Sequence, residues 1–167
     1  GWSSAFFHYD LRTNQFERYL RDISVSGISP FALENAIEHV VQCGTNMQRM
    51  RLFAQDPPAK CRELPALVTL SSTVAVITLN LEQQISDHSK NIASPLQVKA
   101  LFNRCGDLVG VLADIVDAAQ RAVSDAQVMS IVTERAADFA QNFDWMENLL
   151  HEIVIRVTRP WFKFIET

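Results

Sequence analysis

The sequence predicts an all-α fold: an elongated bundle or stack of about five helices, with a short N-terminal hairpin or extended arm. Three observations carry this. Apolar residues recur at alternating three- and four-residue steps through most of the chain, the period of one helix face. Ser and Asp stand at the heads of these stretches, followed by Pro or by a Gln or Glu three residues on, which are helix-start signals. Only five glycines and six prolines are present, and most of the prolines sit where a helix would begin or end.

The opening is the exception. Ala5-Phe6-Phe7-His8-Tyr9-Asp10 is rich in strand-favouring aromatics, Arg12-Thr13-Asn14 gives a turn signal, and Phe16 to Val25 follows. Residues 1–28 read as a hairpin or extended arm, with a short helix over Asn14 to Arg21 as the competing assignment. Residues 29–167 read as the helical bundle.

Ser29-Pro30 supplies an N-cap hydroxyl and then a proline at the first helical position, where its missing N–H costs nothing. Leu33, Ile37, Val40, Val41, Gly44 and Met47 mark one face of this first helix. Gly44 within it predicts close approach of another helix, at about 1 kcal/mol relative to Ala. Asp56-Pro57-Pro58 ends the element.

The second helix starts near Glu63-Leu64-Pro65 and runs toward Lys90, with a seam of Leu67, Leu70, Val74, Ile77, Leu81, Gln84 and His88. Ser94-Pro95-Leu96-Gln97 reads as a capping box for a third helix. That helix carries Val98, Leu101, Cys105, Leu108, Leu112, Ile115 and Ala119 at the same spacing. Two such seams joined by a few residues predict an antiparallel pair. Ser124-Asp125-Ala126-Gln127 opens a fourth helix through Val128, Ile131, Val132 and Ala136. Asp144-Trp145-Met146-Glu147 opens the last, which runs toward Arg159-Pro160.

Composition narrows the function classes. A chain of 167 residues is one domain able to bury about two thirds of its unfolded surface. With 48% hydrophobic and 20% charged residues it is an ordinary globular chain. A net charge of -4 and no basic stripe argue against nucleic acid as a partner. Cys43, Cys61 and Cys105 are scattered, as expected of reduced thiols in a cytosolic protein. Leu64 to Leu81 carries no charge over 18 residues, the length of a membrane span. Its Thr, Ser and Asn residues and the lack of an aromatic belt fit a central bundle helix better. The chain reads as a segment of a longer protein.

Catalytic constellations are not found. His8, His39, His88 and His151 make no metal-binding spacing, and no cofactor motif occurs. Asp87-His88 are adjacent on a helix, so they diverge and build no dyad. Glu134 and Asp138 share a face beside Arg135, without a third acid or His at matching spacing; a solvated charged face is the ordinary reading. At the C-terminus, Pro160 should kink or restart the helix. Trp161 and Phe164 would then fill the corner, with Trp145 and Phe162 as further aromatic anchors. Arg156, Arg159 and Lys163 either neutralise a helix end or form a basic patch for an acidic neighbour.

These residues also carry a family likeness. Gly27-Ile28-Ser29 before a helix, then Gly44-Thr45 and Arg49-Met50-Arg51-Leu52-Phe53, resemble the early helical part of gamma-tubulin complex proteins of the larger, divergent type. The Leu-rich stretch with an acidic, aliphatic end over Val98 to Val116 is similar to a helix of the same family. So is the run from Ile131 to Glu166 into Leu149-Leu150 and Arg159-Pro160-Trp161. The likeness spans Gly27 to Glu166 and implies the N-terminal GRIP domain.

It further implies a non-catalytic scaffold making lateral contacts between ring-complex spokes in microtubule nucleation. Gamma-tubulin would be held by the C-terminal half, beyond this segment. Other gamma-tubulin complex proteins would be partners, with small accessory subunits as a further class. The implied location is the cytoplasmic cytoskeleton, at the microtubule organizing centre or spindle pole. Two other readings stay open. A helical adaptor binding a partner helix would show an exposed aliphatic stripe. A ligand-binding bundle or enzyme would show a polar pocket around Asp87, His88 or Glu134.

Overall fold

The computed structural model describes residues 7–19, 24–55, 63–90, 95–142 and 146–165. Two short strands, β1 (Phe7–Asp10) and β2 (Gln15–Arg18), precede five helices: α1 (Pro30–Gln55), α2 (Pro65–Ser89), α3 (Pro95–Ala119), α4 (Asp125–Asn142) and α5 (Glu147–Ile165).

The opening is a hairpin, not the helix that competed for Asn14 to Arg21. The strands pair antiparallel from Phe7↔Arg18 to Asp10↔Gln15. The predicted turn residues explain the reversal. Asp10 Oδ1 accepts the Arg12 N–H at 2.8 Å, and Asn14 takes the left-handed conformation (φ 53°) that Asn tolerates better than most side chains. His8 stacks on Tyr19 with centroids 4.3 Å apart, and Tyr9 meets Phe16 edge-on at 5.0 Å.

Helix starts follow the caps read from the sequence where they are described. Ser29 Oγ accepts the Ala32 N–H at 3.2 Å, and Ser124 Oγ accepts the Gln127 N–H at 3.3 Å. The Gln127 side chain reaches back to the Val123 N–H at 2.9 Å, one residue earlier than a simple capping box requires. Ser94 and Asp144 lie outside the described residues. α2 is capped differently. Its N-cap, Leu64, offers no side-chain acceptor, and the Ala66 N–H donates instead to Asp125 Oδ1 at 2.8 Å. The head of α4 therefore caps the head of α2.

One apolar core joins the five helices. Leu67, Leu70, Val74, Ile77 and Leu81 of the α2 seam are buried, as are Leu108, Leu112, Ile115 and Ala119 of α3. Gln84 and His88, placed on the same seam by spacing, are exposed. Met146, Leu150, Ile153 and Val157 supply the α5 face.

Of two packing expectations, the first holds in the antiparallel sense of α2 and α3 but not in their closeness, and the second is corrected. The principal partner of α3 is α1, and its contact with α2 is sparse. Arg49 lies 3.8 Å from Asp117, and Cys43 sits close enough to Cys105 to feel its charge. Both helices thus advance together, as a parallel pair. α2 makes the return leg: Ser71 Oγ donates to the Phe53 carbonyl at 3.3 Å and Arg51 pairs with Glu82 further along. Gly44 is the second correction: its nearest neighbour among the described residues is the hairpin. A Cβ there would stand 3.3 Å from Cδ2 of Phe16. The Phe16 N–H donates to the buried Thr45 Oγ1 at 3.1 Å, and Arg18 Nη1 pairs with Glu34 at 2.8 Å.

Candidate functional site

The basic end of α5 is partly spent internally. Arg156 Nε donates to Glu152 Oε1 at 2.8 Å, an i,i+4 pair. Arg159 is exposed; the side chains of Lys163 and Phe164 lie outside the described residues. The helix does not end or restart at the proline. α5 continues through Pro160 to Ile165, and Trp161 remains 39% exposed. Trp161 lies one turn beyond Val157, the last buried seam residue among those described.

The polar candidates Asp87, His88 and Glu134 lie on exposed helix surface. Asp87 accepts from Gln83 Nε2 at 2.9 Å and Lys90 Nζ at 3.1 Å. These donors hold its carboxyl below the usual range. The His88 ring bonds the Gln84 carbonyl at 2.8 Å, and Glu134 accepts the Ser130 hydroxyl at 2.7 Å. Arg135 pairs with Asp114 at 3.3 Å. These are helix-surface contacts.

Sequence reasoning missed two features. The first is a cleft of about 610 Å³ where the hairpin meets α1 and α3, with Tyr9, Asn14, Arg49, Phe53, Val116 and Asp117 among its walls. Burial there raises the Tyr9 phenol, against a smaller opposing pull from Arg49. The phenol oxygen has no hydrogen-bond partner among the described residues. No single motif signals this cleft, because its walls come from three separated elements.

The second feature is the outer side of α2. Val68, Val76 and Leu79 are 49%, 47% and 65% exposed. At about 100° per residue they fall within one quadrant of the helix, with Ser72 between them. The uncharged stretch was plain in the sequence; its outward half was hidden by the stronger inward seam. α2 is long and apolar enough to cross a membrane by length and composition alone, and half of that stretch is buried inside the protein.

The described residues form a core-joined helical bundle with an exposed apolar stripe on α2 and an exposed Arg159 on α5. The whole chain, residues 1–167, matches the family model described as gamma tubulin complex component N-terminal. The chain belongs to the gamma-tubulin complex component family. No curated protein and no solved structure matches it. As an N-terminal gamma-tubulin complex component, the chain comes from a structural family of microtubule nucleation. That family implies other gamma-tubulin complex proteins as partners and a place in the cytoskeleton at microtubule organizing centres.

Proposed function

We propose that this gamma-tubulin complex component segment is a non-catalytic lateral scaffold, the N-terminal GRIP domain that sets the spacing of neighbouring spokes. The observation that carries the reading is the family match over the full 1–167. Its physical support is the single core shared by α1 to α5, since close-packed interiors resist bending. The arm is residues 1–28, whose β1–β2 hairpin docks on α1, and the body is residues 29–167. Gamma-tubulin is held by a half of the protein beyond this segment, and small accessory subunits are further partners. Arg159, with Arg156 and Lys163, supplies a basic rim. Neither nucleic acid nor membrane is a partner, and the site of action is the cytoplasmic microtubule organizing centre or spindle pole.

The test is a pull-down from cytosol with the folded segment, probed for gamma-tubulin and its complex proteins. Recovery of complex members, lost on mutating the outer helical surface, is the expected result. A second reading has one observation in its favour: the exposed aliphatic stripe on α2 suits an adaptor that takes a partner helix, unrelated to microtubules. A clean negative from well-folded segment would put that reading first.

A further inference from the structure

We infer that the β1–β2 hairpin is a releasable strap: it opens from α1 as one unit, well before the bundle unfolds, and uncovers the groove between α1 and α3.

The core is complete without the hairpin. Its buried apolar members run from Cys43 of α1 to Val157 of α5, and the strand residues are half-buried at most. Lifting the strands therefore removes nothing from the core. A lone two-stranded hairpin is marginal in water. It owes its order to the surface beneath it, and on leaving that surface it regains backbone freedom.

The attachment is a balance of modest forces. Holding the hairpin down are the Phe16 N–H on Thr45 Oγ1 at 3.1 Å and the Phe16 ring over Gly44. Arg18 adds an ion pair with Glu34, whose side chain is 56% exposed, so water screens it. Working against them are two buried atoms of β1, His8 Nδ1 and Tyr9 Oη, without a hydrogen-bond partner among the described residues. Release gives both back to water, which removes the penalty of burying them unpaired.

Packing under the strap is incomplete as well. The cleft of about 610 Å³ has Tyr9, Thr13 and Asn14 of the hairpin on one side. Met50, Phe53, Ala113 and Val116, all buried, line it from α1 and α3. Surfaces that do not meet forfeit their dispersion contacts, so the hairpin bridges this groove without filling it. A pivot is present too. Residues 24–29, ahead of α1, are exposed apart from a half-buried Ile28, and Gly27 sits at φ 84°, where glycine turns at no steric cost.

The test is hydrogen exchange of the full-length protein in rising, sub-denaturing guanidinium chloride. The amides of His8, Phe16 and Glu17 should exchange together, about 100-fold or more faster than that of Val109 in the core. Their dependence on denaturant should be the shallower, because a small unit exposes less surface. Phe16→Ala should speed exchange of the hairpin about ten-fold further and leave Val109 unchanged. Ala113→Cys places a thiol in the cleft wall. Its labelling by iodoacetamide, mapped by peptide, should quicken about ten-fold when Phe16→Ala is added, while labelling of Cys105 stays constant. Leu11→Ala, at the exposed turn, should change neither readout. The wild-type comparison needs no variant, so it decides the point even should Phe16→Ala fail to fold. Hairpin and Val109 amides exchanging at one rate with one denaturant slope would make the hairpin part of the bundle's cooperative unit and overturn the strap. Fast hairpin exchange with Ala113→Cys labelling that ignores Phe16→Ala would mean fraying that uncovers nothing, and would overturn it equally. The strap belongs to this chain alone, so neither result bears on the scaffold reading.

Discussion

Gly44 shows how one missing side chain fixes the position of an element. The Phe16 ring lies where a Cβ would be crowded, 3.3 Å from its Cδ2 atom. Gly44→Leu should therefore lift the hairpin from α1 and lower stability by about 1–3 kcal/mol. In hydrogen exchange the Phe16 amide would lose its protection, while amides near Leu112 keep theirs. Trp161 gives the opposite expectation. At 39% exposed, its replacement by Ala should cost less than about 1 kcal/mol in denaturant unfolding, well below a core truncation. Sequence spacing marked both positions as special and misread both. It showed Gly44 on an inward face but not what would arrive there, since the hairpin is distant in the chain. It expected Trp161 to be packed at the proline, although the side chain is 39% exposed.

At the scale of elements, the sequence is most legible where the cause is local. Ser29, Ser124 and the α2 and α3 seams lay in plain view because capping and periodicity involve residues three or four apart. The start of α2 was legible only in part: Pro65 marked it, but its acceptor, Asp125, lies 59 residues away. Asp125→Ala should remove about 1 kcal/mol of stability by exposing the Ala66 N–H, and Asp125→Asn should restore most of it. Chemical denaturation of the two variants, with exchange rates at Ala66, checks this. The exposed stripe on α2 was half legible. The absence of charge was visible, but which residues of so apolar a stretch face outward is decided by neighbours that periodicity does not name.

For the molecule as a whole, the parallel pairing of α1 with α3 was beyond the reach of sequence spacing, which links successive helices and says nothing of alternate ones. That pairing buries two thiols together. Burial first, and then the nearby Cys105, push the Cys43 thiol up to about 11 from an ordinary 9.0. Below pH 9 the thiol is neutral in folded and unfolded chains alike, and its contribution to stability is fully present. As pH rises further the unfolded chain ionises first, so stability should fall by about 1.4 kcal/mol per unit until the folded thiol titrates. Cys43→Ala should flatten that part of the alkaline unfolding curve, measured by circular dichroism against pH. The long-range cap on α2 has a consequence in time. A ribosome adds about 5–20 residues per second, so the 59 positions between Ala66 and Asp125 take about 3–12 s to emerge. For that interval the first turn of α2 waits without its Asp125 acceptor, and the nascent chain carries the uncharged first two thirds of a helix whose anchor has yet to be made.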